Sequence, residues 1–125
     1  MNVFSRLGRI VFGGLLAFMG LNHFQDMEGT IAYAESEGVP MADKLVPFAC
    51  GMLAVGGVCV ALGLFPVLAA GAVIAFLAGV TPQMHDFWNY EEGEGQRQGE
   101  RINFLKNAAL LGAALTLLGN ALGDD

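Results

Sequence analysis

A chain of 125 residues holds one small domain, and this one is 54% hydrophobic, with 14% charged residues and a mean hydropathy of +0.53. So few charges exclude an ordinary soluble domain, where about 25% is usual. The net charge of −6 gives an acidic water-facing surface that disfavours nucleic acid and anionic headgroups and suits high salt, so a halophilic source is expected.

The first predicted helix spans about 4–24. Ile10 to Phe24 lack Asp, Glu, Lys and Arg, and the span borrows Phe4 to Arg9, whose cations reach for the interface. Arg6 and Arg9 before an apolar run also have the form of a signal peptide. No small-x-small cleavage site follows, because the run leads into Leu21-Asn22-His23-Phe24, so the segment is expected to remain. Residues 25–40 form a polar connection. Met27, Ile31 and Ala34 recur there at helical spacing opposite Glu28 and Glu35, and Gly38 then Pro40 read as a stop signal. A short helix lying at the interface is expected, with an ordered loop as the alternative.

Leu45 to His85 contain no Asp, Glu, Lys or Arg over 41 residues. One crossing needs roughly 20 apolar residues, so this run reads as two. Pro66, after Gly63-Leu64-Phe65, supplies the turn, giving helices of about 41–64 and 66–85. Pro47 falls in early turns, where a missing N–H is tolerated, and Pro82 should kink or end the third helix. Residues 86–100 are a polar loop rich in Glu and Gly, and a fourth helix covers about 101–122, borrowing Arg101 to Lys106. The expectation is an all-α, integral membrane four-helix bundle, a single domain over 1–125, multi-pass in the cell membrane, with a short interfacial helix between helices one and two. Small residues at Gly71, Ala75 and Gly79, and at Ala108, Gly112 and Thr116, predict close helix packing. Cys50 and Cys59, nine apart on one helix, point to opposite faces about 13 Å apart along the axis and cannot bond to each other. With no CxxC, a thiol-oxidising enzyme of the usual kind is disfavoured.

Both connections, 25–40 and 86–100, must lie on one side of the membrane, with the termini on the other. The Arg6–Arg9 pair favours a cytoplasmic N-terminus, whereas Lys44, Arg97, Arg101 and Lys106 favour cytoplasmic loops. Helices one and three run in the same direction, so Asn22-His23-Phe24 and His85-Asp86-Phe87-Trp88 arrive at the same face. The two histidines of the chain thus converge. Asp43, Lys44, Glu100, Arg101, Asn103 and Asn107 begin helices two and four at this face, Asn103 and Asn107 one turn apart. Tyr33 and Tyr90 belong to the two loops on this side.

Several chemistries compete for this cluster. A quinone or similar redox ligand needs an apolar slot, a donor for each carbonyl and a proton relay, which His85 with Asp86, and His23 opposite, would provide. A metal would need three or four ligands, from His23, His85 and Asp86 or Glu100. A haem would use the two histidines. The plain alternative is that they are interfacial caps and anchors. Phosphate-loop, GxSxG and HExxH signatures are absent. The charge-poor core speaks against an ion-coupled transporter.

Arg9 to Gly14 leading to Gly20-Leu21-Asn22-His23-Phe24, Tyr33, Gly38-Val39-Pro40, Gly51, Gly56-Gly57 and Leu62-Gly63-Leu64 resemble the DoxX family of small four-helix membrane proteins. Thr81-Pro82-Gln83-Met84-His85-Asp86-Phe87-Trp88, then Phe104-Leu105-Lys106-Asn107 and Ala109-Leu110-Leu111-Gly112, are similar to the form of that family in halophilic archaea. Where many members carry a Glu before the Gly-Gly pair, this chain has Leu53-Ala54-Val55. The resemblance implies a redox-associated membrane subunit, linked in some relatives to thiosulfate:quinone oxidoreductase. The residues expected to contact a quinone are Asn22, His23, Phe24, His85, Asp86, Trp88, Asn103 and Asn107, with no metal. Expected partners are the lipid bilayer and a redox protein or a second copy of the chain, not nucleic acid. The rival readings are a non-enzymatic membrane scaffold or assembly factor and, third, a small-molecule transporter.

Overall fold

Each apolar stretch folds as a helix in the computed structural model, which describes residues 2–85, 87–89 and 95–123. The helices are α1 (Val3–Asn22), α2 (Met27–Ser36), α3 (Ala42–Leu62), α4 (Pro66–Met84) and α5 (Gly95–Ala121), with 3-10 turns at His23–Asp26 and Phe87–Asn89. Four of the described helices are long and apolar enough to cross a membrane. Their outward faces carry Phe4, Phe18, Phe48, Val55, Leu68 and Leu115, the kind of continuous apolar surface that hydrocarbon covers. The chain is a multi-pass membrane protein with an all-α bundle.

Local chemistry sets the ends of the helices. Asn2 Oδ1 accepts from Ser5 N at 2.8 Å, and Asp26 Oδ1 accepts from Gly29 N at 3.2 Å, so α1 and α2 both start on a side-chain cap. α2 and α3 both stop on a left-handed glycine. Gly38 (φ 86°) and Gly63 (φ 76°) turn the chain so that Val39 N reaches Ala34 O at 3.1 Å and Leu64 N reaches Cys59 O at 2.8 Å. Pro66 then opens α4 at its first position. Met41 (φ 52°) and Phe65 (φ 45°) hold the same left-handed region without glycine's freedom.

Two boundaries differ from the sequence expectation. The first helix ends at Asn22, with His23 and Phe24 in the tighter 3-10 turn. The fourth starts at Gly95 rather than near 101. Gln, Arg and Glu are good helix formers, so the polarity of residues 95–100 is no bar to helix. The expected contacts of Asp86 and Tyr90 lie outside the described residues.

In space α1 packs on α3, α3 on α4 and α4 on α5, while α2 lies against α3. Leu16, Leu53, Val60, Ala69, Val73, Leu77 and Ala114 form the buried core. The closest approach is a seam of small residues between α1 and α3, with Gly13, Ala17 and Gly20 facing Cys50, Ala54, Gly57 and Ala61. A Cβ on Gly57 would stand 2.6 Å from Ala17 N, and one on Gly20 would stand 2.8 Å from Ala54 N, so the backbones touch. The stripes expected to pack, by contrast, do not. A Cβ on Gly71, Gly79 or Gly112 would meet nothing within 4 Å, and Ala75, Ala108 and Thr116 are exposed. Between α3, α4 and α5 the bulkier Val73 and Leu77 fill the space instead.

Candidate functional site

The end of α4, the start of α5 and the middle of α2 meet around one buried carboxylate. Glu100, on the second turn of α5, is only 7% exposed. A lone buried carboxylate is costly, so its oxygens must find donors. Tyr33 Oη donates to Oε2 at 2.5 Å, His85 Nδ1 lies 2.9 Å from Oε1, and Asn103 Nδ2 donates to Oε1 at 3.3 Å. Three elements are thereby fastened at one point. Three donors serve the ionised form of the acid, and the His85–Glu100 contact becomes an ion pair when the imidazole is protonated.

Each partner is placed by its helix. α2 buries Ala34 at 1% exposure and so turns the adjacent Tyr33 towards α5. Pro82 lies two residues before the end of α4. His85 follows that end and keeps a backbone bond from its N–H to Thr81 O at 3.0 Å. Gln83 Nε2 donates to Glu37 O at 2.9 Å, tying the same end to α2. Asn103 is three residues beyond Glu100 and Phe104 four, so both share its face of α5. Phe104 meets Trp88 edge to face, with ring centroids 5.5 Å apart.

The cluster leaves functional groups over. With Nδ1 engaged by Glu100, His85 Nε2 makes no hydrogen bond among the described residues, and the side chain is 23% exposed. One turn back on α4, Thr81 is buried and its hydroxyl has no partner among the described residues. With Nδ1 donating to the ionised Glu100, Nε2 is an acceptor on the neutral imidazole and a donor on the imidazolium.

Of the residues expected at the site, the structure joins His85 and Asn103 through Glu100 and pairs Trp88 with Phe104. Asn22, His23 and Phe24 are exposed, and His23 makes no side-chain hydrogen bond among the described residues. Asn107 is half-buried one turn beyond Asn103. Asp86 lies outside the described residues. Among those residues no three His, Cys, Asp or Glu side chains converge as a metal site would require. Sequence reasoning underrated Glu100, placing it in a loop, and Tyr33. The usable signal was an acid three residues before Asn103 at the head of an apolar run, in register with it on a helix.

The family model for DoxX matches residues 5–86, from within α1 to just past the end of α4. No curated protein and no solved structure matches the chain.

Proposed function

From the premise that this chain belongs to the DoxX family, we propose that it is a redox-associated membrane subunit that binds a quinone beside His85. The observation that carries this reading is the Tyr33–Glu100–His85 hydrogen-bonded chain at the end of α4. A bound quinone would supply two-electron, two-proton chemistry, with electrons from a redox partner protein. The chain's own residues handle position and protons. As the imidazolium, His85 would donate from Nε2 to a quinone oxygen, Glu100 would hold the ring's orientation and balance its charge, and Tyr33, near the surface, would connect the pair to water. Trp88 and Phe104 would flank the ring.

Trp88 is the single tryptophan and so a built-in reporter. Titrating the purified protein with a short-tailed quinone should quench its fluorescence saturably, and His85→Ala should weaken binding about tenfold, the worth of one charge-assisted hydrogen bond. Absence of saturable quenching, or equal affinity in His85→Ala, refutes the proposal. A stable protein partner insensitive to His85 substitution would then favour the scaffold reading.

A further inference from the structure

The opposite end of the bundle holds a second, unrelated feature. The start of α1, the end of α3, the start of α4 and the end of α5 surround a cavity of about 630 Å³. Its walls are mostly apolar, from residues such as Val60, Pro66 and Leu117, while Ser5, Arg9 and Asn120 supply the polar groups. Arg9 is half-buried. Its Nε is buried with no hydrogen-bond partner, and no ion pair holds the guanidinium among the described residues. The group rests over Gly63, whose missing Cβ would stand 3.2 Å from Arg9 Nη2. A cation on an apolar wall, with one donor already desolvated, has no anion beside it among the described residues.

A groove continues from this cavity. Gly8 belongs to both, and the groove runs between α1 and α5 along Leu7, Val11, Leu15, Met19 and Leu110. From Gly8 to Met19 the helix rises about 16 Å, close to the depth of one leaflet, half of a core of about 30 Å. Polar head chemistry at one end and a leaflet-deep apolar channel leading from it match an amphiphile.

We propose that Arg9 heads a binding site for one anionic lipid, its phosphate on the guanidinium with Ser5 and Asn120 beside it, and one hydrocarbon chain along the α1–α5 groove. A planar fork of donors suits a phosphate's paired oxygens. Among the described residues the charged side chains at the cavity end are Arg6 and Arg9, whereas acids outnumber bases at the other. Asp26, Glu28, Glu35, Glu37, Asp43 and Glu100 crowd the other end, where the acidic surface repels anionic headgroups. Arg6, one turn before Arg9, is exposed and does not line the cavity, so it serves as the control for surface charge.

Native mass spectrometry of the detergent-purified protein tests this with phosphatidylglycerol, phosphatidylcholine of the same chains, and inorganic phosphate. Phosphatidylglycerol should be retained at least tenfold better than phosphatidylcholine. Arg9→Gln should remove that preference and Arg6→Gln should keep it. Val11→Trp, which narrows the groove, should weaken both lipids alike without changing their ratio. Should Arg9→Gln fail to fold, Arg9→Lys keeps the charge without the fork and should lose preference several-fold. The proposal is overturned if Arg6→Gln and Arg9→Gln lose equally, if the Arg9 variants match wild type, or if inorganic phosphate displaces the lipid at equal concentration.

Discussion

One added methyl group at Gly57 probes the contact that holds α1 in the bundle. A Cβ there would stand 2.6 Å from Ala17 N and Gly13 O and 3.0 Å from Ala17 Cα, whereas carbon atoms attract best at about 3.5–4.0 Å. All three neighbours are backbone, and alanine has no rotamer to change, so the helices must part by about 1 Å. A gap of that size forfeits up to about half the dispersion energy of each touching pair. Overpacking of this kind costs roughly 1–3 kcal/mol. A loss of 2 kcal/mol lowers the folded-to-unfolded ratio about thirtyfold. Heating the detergent-solubilised protein and measuring the monodisperse fraction by size exclusion should show Gly57→Ala melting well below wild type. Gly71→Ala and Gly112→Ala, which meet open space, should stay within about 0.5 kcal/mol of wild type. The packing argument fails if Gly57→Ala melts with wild type, or if the two open-space variants fall equally far.

The buried carboxylate gives a second expectation: Glu100→Gln should destabilise by about 1–3 kcal/mol, because an amide turned towards Tyr33 or His85 sets donor against donor, and an unchanged melting curve would contradict this. Tyr33→Phe removes one bond to Glu100 and should cost about 1 kcal/mol by the same measurement, with less than a tenth of that counting against the hydrogen bond. Met41 is exposed and left-handed, so Met41→Asn should raise stability by roughly 0.5–1 kcal/mol, and a lower melting temperature would argue against strain at that turn. With so many acids at one end, raising KCl from about 0.1 M to about 1 M, which shortens the screening length from about 10 Å to about 3 Å, should raise the melting temperature; no rise would mean the acids do not repel appreciably.

The number and order of the membrane helices were legible because hydrocarbon imposes a length and forbids charge, and the Leu45–His85 run carries both marks. The stops at Gly38 and Gly63 were legible for a similar reason, since few residues turn left-handed without strain. Interfaces were not. Glycine and alanine recur at helical spacing on α1, α3, α4 and α5, and only the three-dimensional arrangement selects the Gly13–Gly57 seam from the exposed stripes at Gly79 and Gly112. At the site, His85 and Asn103 were visible as polar groups at a helix end. Their common acceptor was hidden, because a glutamate in a charge-rich stretch looks solvated until helix geometry carries it inward.

The chain of neighbours α1–α3–α4–α5 has a consequence for biosynthesis. Each membrane-crossing helix after the first packs on the crossing made just before it, so each newly inserted segment finds a partner already in the bilayer and no long loop must close first. Assembly can therefore follow translation one crossing at a time. The α1–α5 junction is the one left for last, after synthesis of the final helix, and it is there that the bundle keeps its open groove.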